Sequence, residues 1–115
     1  MEGIQIRTAV RGHRCLMVVR GEVDLNTCRN ITAIGRLSLT VDAVTSLTID
    51  MSGVEFIDST GLGALIDLRT YAHGMAKELC LLNPHERVIK IIDITGLAGV
   101  FHVETYGRAR LRVVD

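Results

Sequence analysis

From residue 44 onward the chain alternates between short apolar runs and helix-length segments, with turn residues at each change. "SLTIDM", "ELCLL" and "GVFHV" have the length and β-branched or apolar character of strands. Between the first two, "VEFIDST" leads into a helical pattern over residues 60–76, with Leu62, Leu65, Leu68 or Arg69, Ala72 and Met75 on one stripe and Gly74 near the end. Between the second and third, "NPHERVIKIIDITG" offers Asn83 as a cap, Pro84 at the first helical position and Gly96 just past the end. Strands that alternate with helices need long crossovers. Such crossovers are right-handed and lay the strands parallel.

The first part of the chain differs. "IQIRTAV" and "RCLMVVR" flank the turn "RGH" and predict an antiparallel hairpin, with "GEVD" as a sharp exit. "LNTCRNITAIGRLSL" places Leu25, Cys28, Ile31 and Leu37 near a helical period, with Asp24 or Asn26 as the cap. Its Thr, Asn and Gly content makes it a poor helix by propensity, so packing has to hold it. In the tail, Ala109, Leu111 and Val113 alternate with Arg108, Arg110 and Arg112, which predicts an edge strand. No linker, repeat or low-complexity segment interrupts residues 1–115. The expectation is one α/β domain with a mixed, mostly parallel sheet and an N-terminal hairpin.

Composition narrows the function classes. With 48% hydrophobic residues a core can be buried, and with 3% aromatic it must be aliphatic. Thirteen basic residues balance thirteen acidic ones, which argues against direct nucleic-acid binding. Cys15, Cys28 and Cys80 form no CxxC pair and are expected to be reduced core thiols. The start "MEGIQIRTAVRGHR" lacks the apolar segment of a secretory signal. No apolar run approaches the roughly 20 residues of a membrane span. A soluble cytoplasmic protein, by default a monomer and without a cofactor, is expected.

Most chemistries fail on residue pattern. GxGxxG would need glycine where Ile66 stands, and no Gly-Lys-Ser/Thr follows. Ser59 sits on a strand-to-helix turn, but Ile57 and Gly61 do not complete GxSxG, and the scattered His13, His73, His85 and His102 give it no base. HExxH, paired cysteines and clustered His and carboxylate spacing are all absent from the sequence, so no metal site is expected. "GEVD" is explained by a turn glycine and a capping Asp24. "DSTGLG" is harder. Asp58, Ser59 and Thr60 are all capping types, but a glycine within a helix costs about 1 kcal/mol relative to alanine, and Gly61 and Gly63 both fall in the first turn. Stripping side chains there would open the approach to Ser59. By that reasoning Gly61→Ala should fold at least as well and bind worse.

"DSTGLG" after an apolar strand, with "GEVD" upstream and "RVIKIIDITGLAGVFHV" downstream, resembles the bacterial anti-sigma factor antagonists, small STAS-domain proteins. The resemblance runs over nearly the whole chain. It implies helices packed on one side of the mixed sheet, no enzymatic activity, and partner switching. In that family the unphosphorylated antagonist binds an anti-sigma factor and frees a sigma factor. The anti-sigma factor is often a serine kinase using ATP and Mg²⁺, and a phosphatase reverses its mark. By position, Ser59 is the implied phosphoacceptor and Asp58 its neighbour, while Thr60 is the lesser acceptor. Asp24 matches the family's partner-contacting loop, and Gly61 and Gly63 complete the docking surface. Rival readings are a STAS subunit of a transport assembly, a stress-signalling scaffold, or a small nucleotide-binding protein.

Overall fold

The β-branched run of β1 (Ile4–Arg11) folds back on β2 (Arg14–Val23), Arg11 opposite Arg14 and Ile4 opposite Gly21, as the sequence predicts. The computed structural model describes residues 3–105. The turn is fastened to the next strand: His13 accepts from the Thr45 N–H at 2.7 Å through its carbonyl, and its Nδ1 lies 2.8 Å from the Ala43 carbonyl. The chain continues through α1 (Cys28–Leu39), β3 (Ser46–Ile57), α2 (Ser59–Gly74), β4 (Glu78–Leu82), α3 (Glu86–Ile94) and β5 (His102–Glu104). The strands lie in the order β1-β2-β3-β4-β5, with all pairs after the hairpin parallel. Each crossover moves one strand along in the same direction, so right-handed connections put α1, α2 and α3 on one face.

The core records that arrangement. Cys15, Met17 and Val19 of β2, Leu47, Ile49 and Met51 of β3, and Leu79 and Leu81 of β4 project to one side. They form a single buried cluster with Ile31, Leu39, Leu65, Leu68, Val88 and Ile92 from the three helices. The other sheet face, with Leu16, Val18 and Asp50, is half-exposed. Gly35, unhelpful to α1 by propensity, is a packing residue. A Cβ there would lie 2.7 Å from both Leu68 methyls, so the glycine sets how closely α1 approaches α2.

Several boundaries differ from the sequence expectation. β3 does not stop at "MSG" but runs to Ile57, because the ten-residue β2 still offers backbone partners there, Val23 opposite Ile57. α1 buries Ile31, Gly35 and Leu39, while Leu37 is 71% exposed and Leu25 lies before the helix and is 70% exposed. Its cap residue is Thr27, not Asp24 or Asn26. α2 is Ser59–Gly74, and Met75 follows it partly exposed rather than in the buried stripe. Asn83 does not cap α3: it takes φ 55° and donates its N–H to the Glu104 carbonyl at 2.6 Å, extending the β4–β5 pairing, and His85 takes the cap position. Gly96 does follow α3 with φ 77°. β5 is three residues, and Phe101 before it is buried. Cys80 is half-buried on the open sheet face rather than in the core. The edge strand expected over 108–113 lies outside the described residues.

Candidate functional site

The C-terminal ends of β2 and β3 lie side by side, and each runs into a helix. There "GEVD" and "DSTGLG" meet, joined by the Asp58 N–H donating to the Val23 carbonyl at 3.1 Å. Asp58 has extended backbone and caps α2. Its Oδ1 accepts the Gly61 N–H at 2.9 Å and the Thr60 hydroxyl at 2.6 Å. These bonds, the Thr60 hydroxyl first, hold the Asp58 carboxyl below its ordinary pKa, and the Leu25 amide on the neighbouring loop contributes. Asp58 therefore stays ionised at the positive end of the helix.

Asp24 organises its loop in a similar way. Its Oδ1 accepts the Asn26 and Thr27 N–H groups at 3.0 and 3.2 Å. The buried Thr27 hydroxyl donates to the Glu22 carbonyl at 2.6 Å and accepts from the Asp24 N–H at 3.0 Å. Thr27 is the residue that sequence reasoning missed here. Its signal was an Asp-x-x-Thr spacing that closes a turn by side-chain bonds.

Next to the capping Asp58, Ser59 is the first residue of α2 and is exposed. Among the described residues its hydroxyl has no hydrogen-bond partner, and none of the four histidines bonds to it. Thr60, by contrast, is committed to Asp58. The Gly61 amide is likewise occupied by the cap, so the start of α2 is not an open phosphate cradle.

The two glycines serve different ends. Gly63 is exposed with nothing within 4 Å of where a Cβ would stand. Gly61 is buried: a Cβ there would lie 2.6 Å from the Val23 carbonyl oxygen and 2.7 Å from Ile57 Cγ1 and Val23 Cγ1. Gly61 thus lets α2 sit against the end of β2 and does not clear the approach to Ser59. The expectation that Gly61→Ala folds at least as well is overturned. Leu25, 70% exposed beside Asp24, and Phe56, 48% exposed two residues before Asp58, add apolar surface to both segments. Among the described residues, no helix is long and apolar enough to cross a membrane.

A sequence model described as the STAS domain matches residues 5–108. The anti-sigma-B factor antagonist of Staphylococcus aureus is 26% identical over 100 residues, covering 87% of this chain and 92% of that protein. Its counterpart from Staphylococcus epidermidis is 28% identical over 85 residues, covering 74% and 78%. Among solved structures, the anti-sigma factor antagonist SpoIIAA in its unphosphorylated form superposes with a TM-score of 0.73 at 25% identity, covering 96% of each chain. An anti-sigma factor antagonist from Mycobacterium paratuberculosis shares the fold at a TM-score of 0.80 and 24% identity, covering 98% and 96%. SLC26A9, whose murine form is an anion transporter, also contains this fold, with a TM-score of 0.62 at 18% identity over 74% of this chain but only 16% of its own.

Proposed function

The chain belongs to the STAS domain family, and we propose that it is an anti-sigma factor antagonist whose partner binding is set by phosphorylation of Ser59. The observation that carries this reading is the exposed, unpaired hydroxyl of Ser59 at the head of a helix capped independently by Asp58. The hydroxyl is free to enter a kinase active site because no part of the fold depends on it. The names of the relatives and of the SpoIIAA structures support the same role.

In this reading the unmodified protein, a cytoplasmic monomer with no catalysis of its own, binds an anti-sigma factor through Asp24, Asp58, Ser59, Thr60 and the exposed face at Gly63, while Gly61 supports that face from beneath by letting α2 pack on β2. The anti-sigma factor, a serine kinase using ATP, releases its sigma factor and in time phosphorylates Ser59. A phosphatase then restores the hydroxyl. Phosphorylation adds about −1.5 to −2 charges and three acceptor oxygens. At a helix N-terminus that charge is favourable by roughly 0.3–1 kcal/mol, so the domain keeps its fold. The cost falls on the complex, where a surface shaped around a neutral hydroxyl must desolvate a dianion beside Asp58. An uncompensated buried charge costs roughly 3–5 kcal/mol, enough to release a micromolar or nanomolar partner.

Ser59→Ala and Ser59→Glu used as paired baits in lysate of the source organism test the proposal. Retention of a small kinase-like ATPase by the alanine form alone is the expected outcome. Equal retention of the same transporter or scaffold proteins by both forms would replace this reading with a STAS subunit that binds without a phospho-switch.

A further inference from the structure

Three potential metal ligands, Cys80 from β4 and His102 and Glu104 from β5, meet on the sheet face away from the helices. β4 and β5 pair in parallel with Cys80 opposite His102 and Leu82 opposite Glu104. Leu79 and Leu81 point into the core, so Cys80 points the other way, and its register partner His102 shares its face. Glu104, two residues beyond His102, falls on the same face by the strand period. The Cys80 sulfur, a His102 ring nitrogen and a Glu104 carboxylate oxygen all lie within 4.8 Å of one another. His102 Nε2 and Glu104 Oε2 are 3.2 Å apart.

We propose that Cys80, His102 and Glu104 form a site for one divalent transition-metal ion of the zinc class. Bonds of about 2.0–2.3 Å in a tetrahedron separate neighbouring ligand atoms by about 3.3–3.7 Å, so closing on an ion takes side-chain movement of about 1 Å. The backbone is already in place. The β4–β5 pairing fixes all three Cα positions, and the Asn83 N–H on the Glu104 carbonyl, 2.6 Å, holds the end of β5. Thiolate, imidazole and carboxylate form a mixed S, N, O set suited to Zn²⁺ rather than to Mg²⁺ or Ca²⁺. Thiolate and carboxylate together neutralise a divalent charge. Among the described residues, Arg14 and Glu78 also act on the sulfur, with opposite signs. His102 is exposed, which leaves the fourth coordination position to water. The bound ion clips the three-residue β5 to β4 and stabilises the fold by mass action, separately from Ser59. The ligand spacing, 80 to 102 to 104, resembles no metal motif along the chain, which is why the sequence predicts no site.

Tag-free, reduced and chelator-stripped protein titrated with Zn²⁺ against a chromogenic chelator tests the proposal, with Co²⁺ as the spectroscopic substitute. Expected are one ion per chain, a rise in melting temperature with Zn²⁺, and a thiolate-to-cobalt charge-transfer band. Cys80→Ser should abolish the band. Loss of even a supporting contact to a metal ligand costs about 10–100-fold in affinity, so Cys80→Ser and His102→Ala should each cost at least that much. Cys28→Ser should change neither. The exposed His102 can be replaced without disturbing the core, so that variant decides the matter if Cys80→Ser folds poorly. Absence of stoichiometric binding in the wild type, or binding that survives His102→Ala unchanged, would overturn the site.

Discussion

Gly61→Ala and Gly63→Ala are the same chemical change two residues apart in one helix turn, and their effects should have opposite signs. Each gains up to about 1 kcal/mol from replacing glycine within a helix. At Gly63 nothing opposes that gain, because no atom lies within 4 Å of the added methyl. At Gly61 the methyl meets the Val23 carbonyl oxygen at 2.6 Å and two side-chain carbons at 2.7 Å. That carbonyl cannot easily retreat, since it also accepts the Asp58 N–H at 3.1 Å. Overpacking of this kind costs about 1–3 kcal/mol, and contact with backbone places it in the upper part of that range. Gly61→Ala should therefore lose about 1–2 kcal/mol net, while Gly63→Ala gains up to about 1. In urea, with m about 1–3 kcal/mol/M for a small domain, the two midpoints should fall on opposite sides of the wild type and separate by about 0.3–3 M. A Gly61→Ala variant as stable as wild type would refute the reasoning that Gly61 is there for packing. Because Gly63 borders Ser59 without supporting the fold, Gly63→Ala also tests the docking surface cleanly: weakened capture by a partner would come from a protein more stable than wild type.

Further outcomes follow from the same geometry. Ser59→Glu places a negative charge at the head of α2 and should leave the stability unchanged or raise it by about 0.3–1 kcal/mol at low salt; a large fall in the calorimetric midpoint would show that the hydroxyl has a structural role. Thr60→Val removes the main cause of the depressed Asp58 pKa, so a carboxyl-carbon NMR titration should find it closer to 3.8. A depressed carboxylate stabilises the fold above its unfolded pKa and loses that contribution as pH falls through the folded value. The stability difference between wild type and Thr60→Val should accordingly be full at neutral pH and shrink below about pH 3.8. Lys77 donates to the Leu39 and Val41 carbonyls at 2.5 and 3.0 Å, closing the C-terminal end of α1. Lys77→Met should cost about 1–2 kcal/mol in chemical denaturation, after discounting for partial exposure.

Local signals were the most legible in the sequence. The hairpin, the buried β4, α2 and the Gly96 stop are each set by period or by turn chemistry within a few residues. The last residues of β3 are held by pairing with β2, and no pattern within "MSGVEFI" records a partner strand. Leu25 fits the helical period of the residues after it, but apolar spacing alone does not show where a helix begins, and Thr27 moves that start past it. The same limit applies at the site. Asp24, Asp58 and Ser59 were identifiable as residue types, but the division of labour between Gly61 and Gly63 depends on the Val23 carbonyl, 38 positions upstream of Gly61. His102 and Glu104 share a face by the strand period, but Cys80 joins them only through the register of β4 against β5.

The most direct test of the switch is calorimetric titration of the captured anti-sigma factor into this protein, unmodified and stoichiometrically phosphorylated on Ser59. The account predicts measurable affinity for the unmodified form and a loss of at least about 100-fold on phosphorylation, with the circular dichroism of both forms the same. Equal affinities would contradict it, and would leave Ser59 as no more than the first residue of α2.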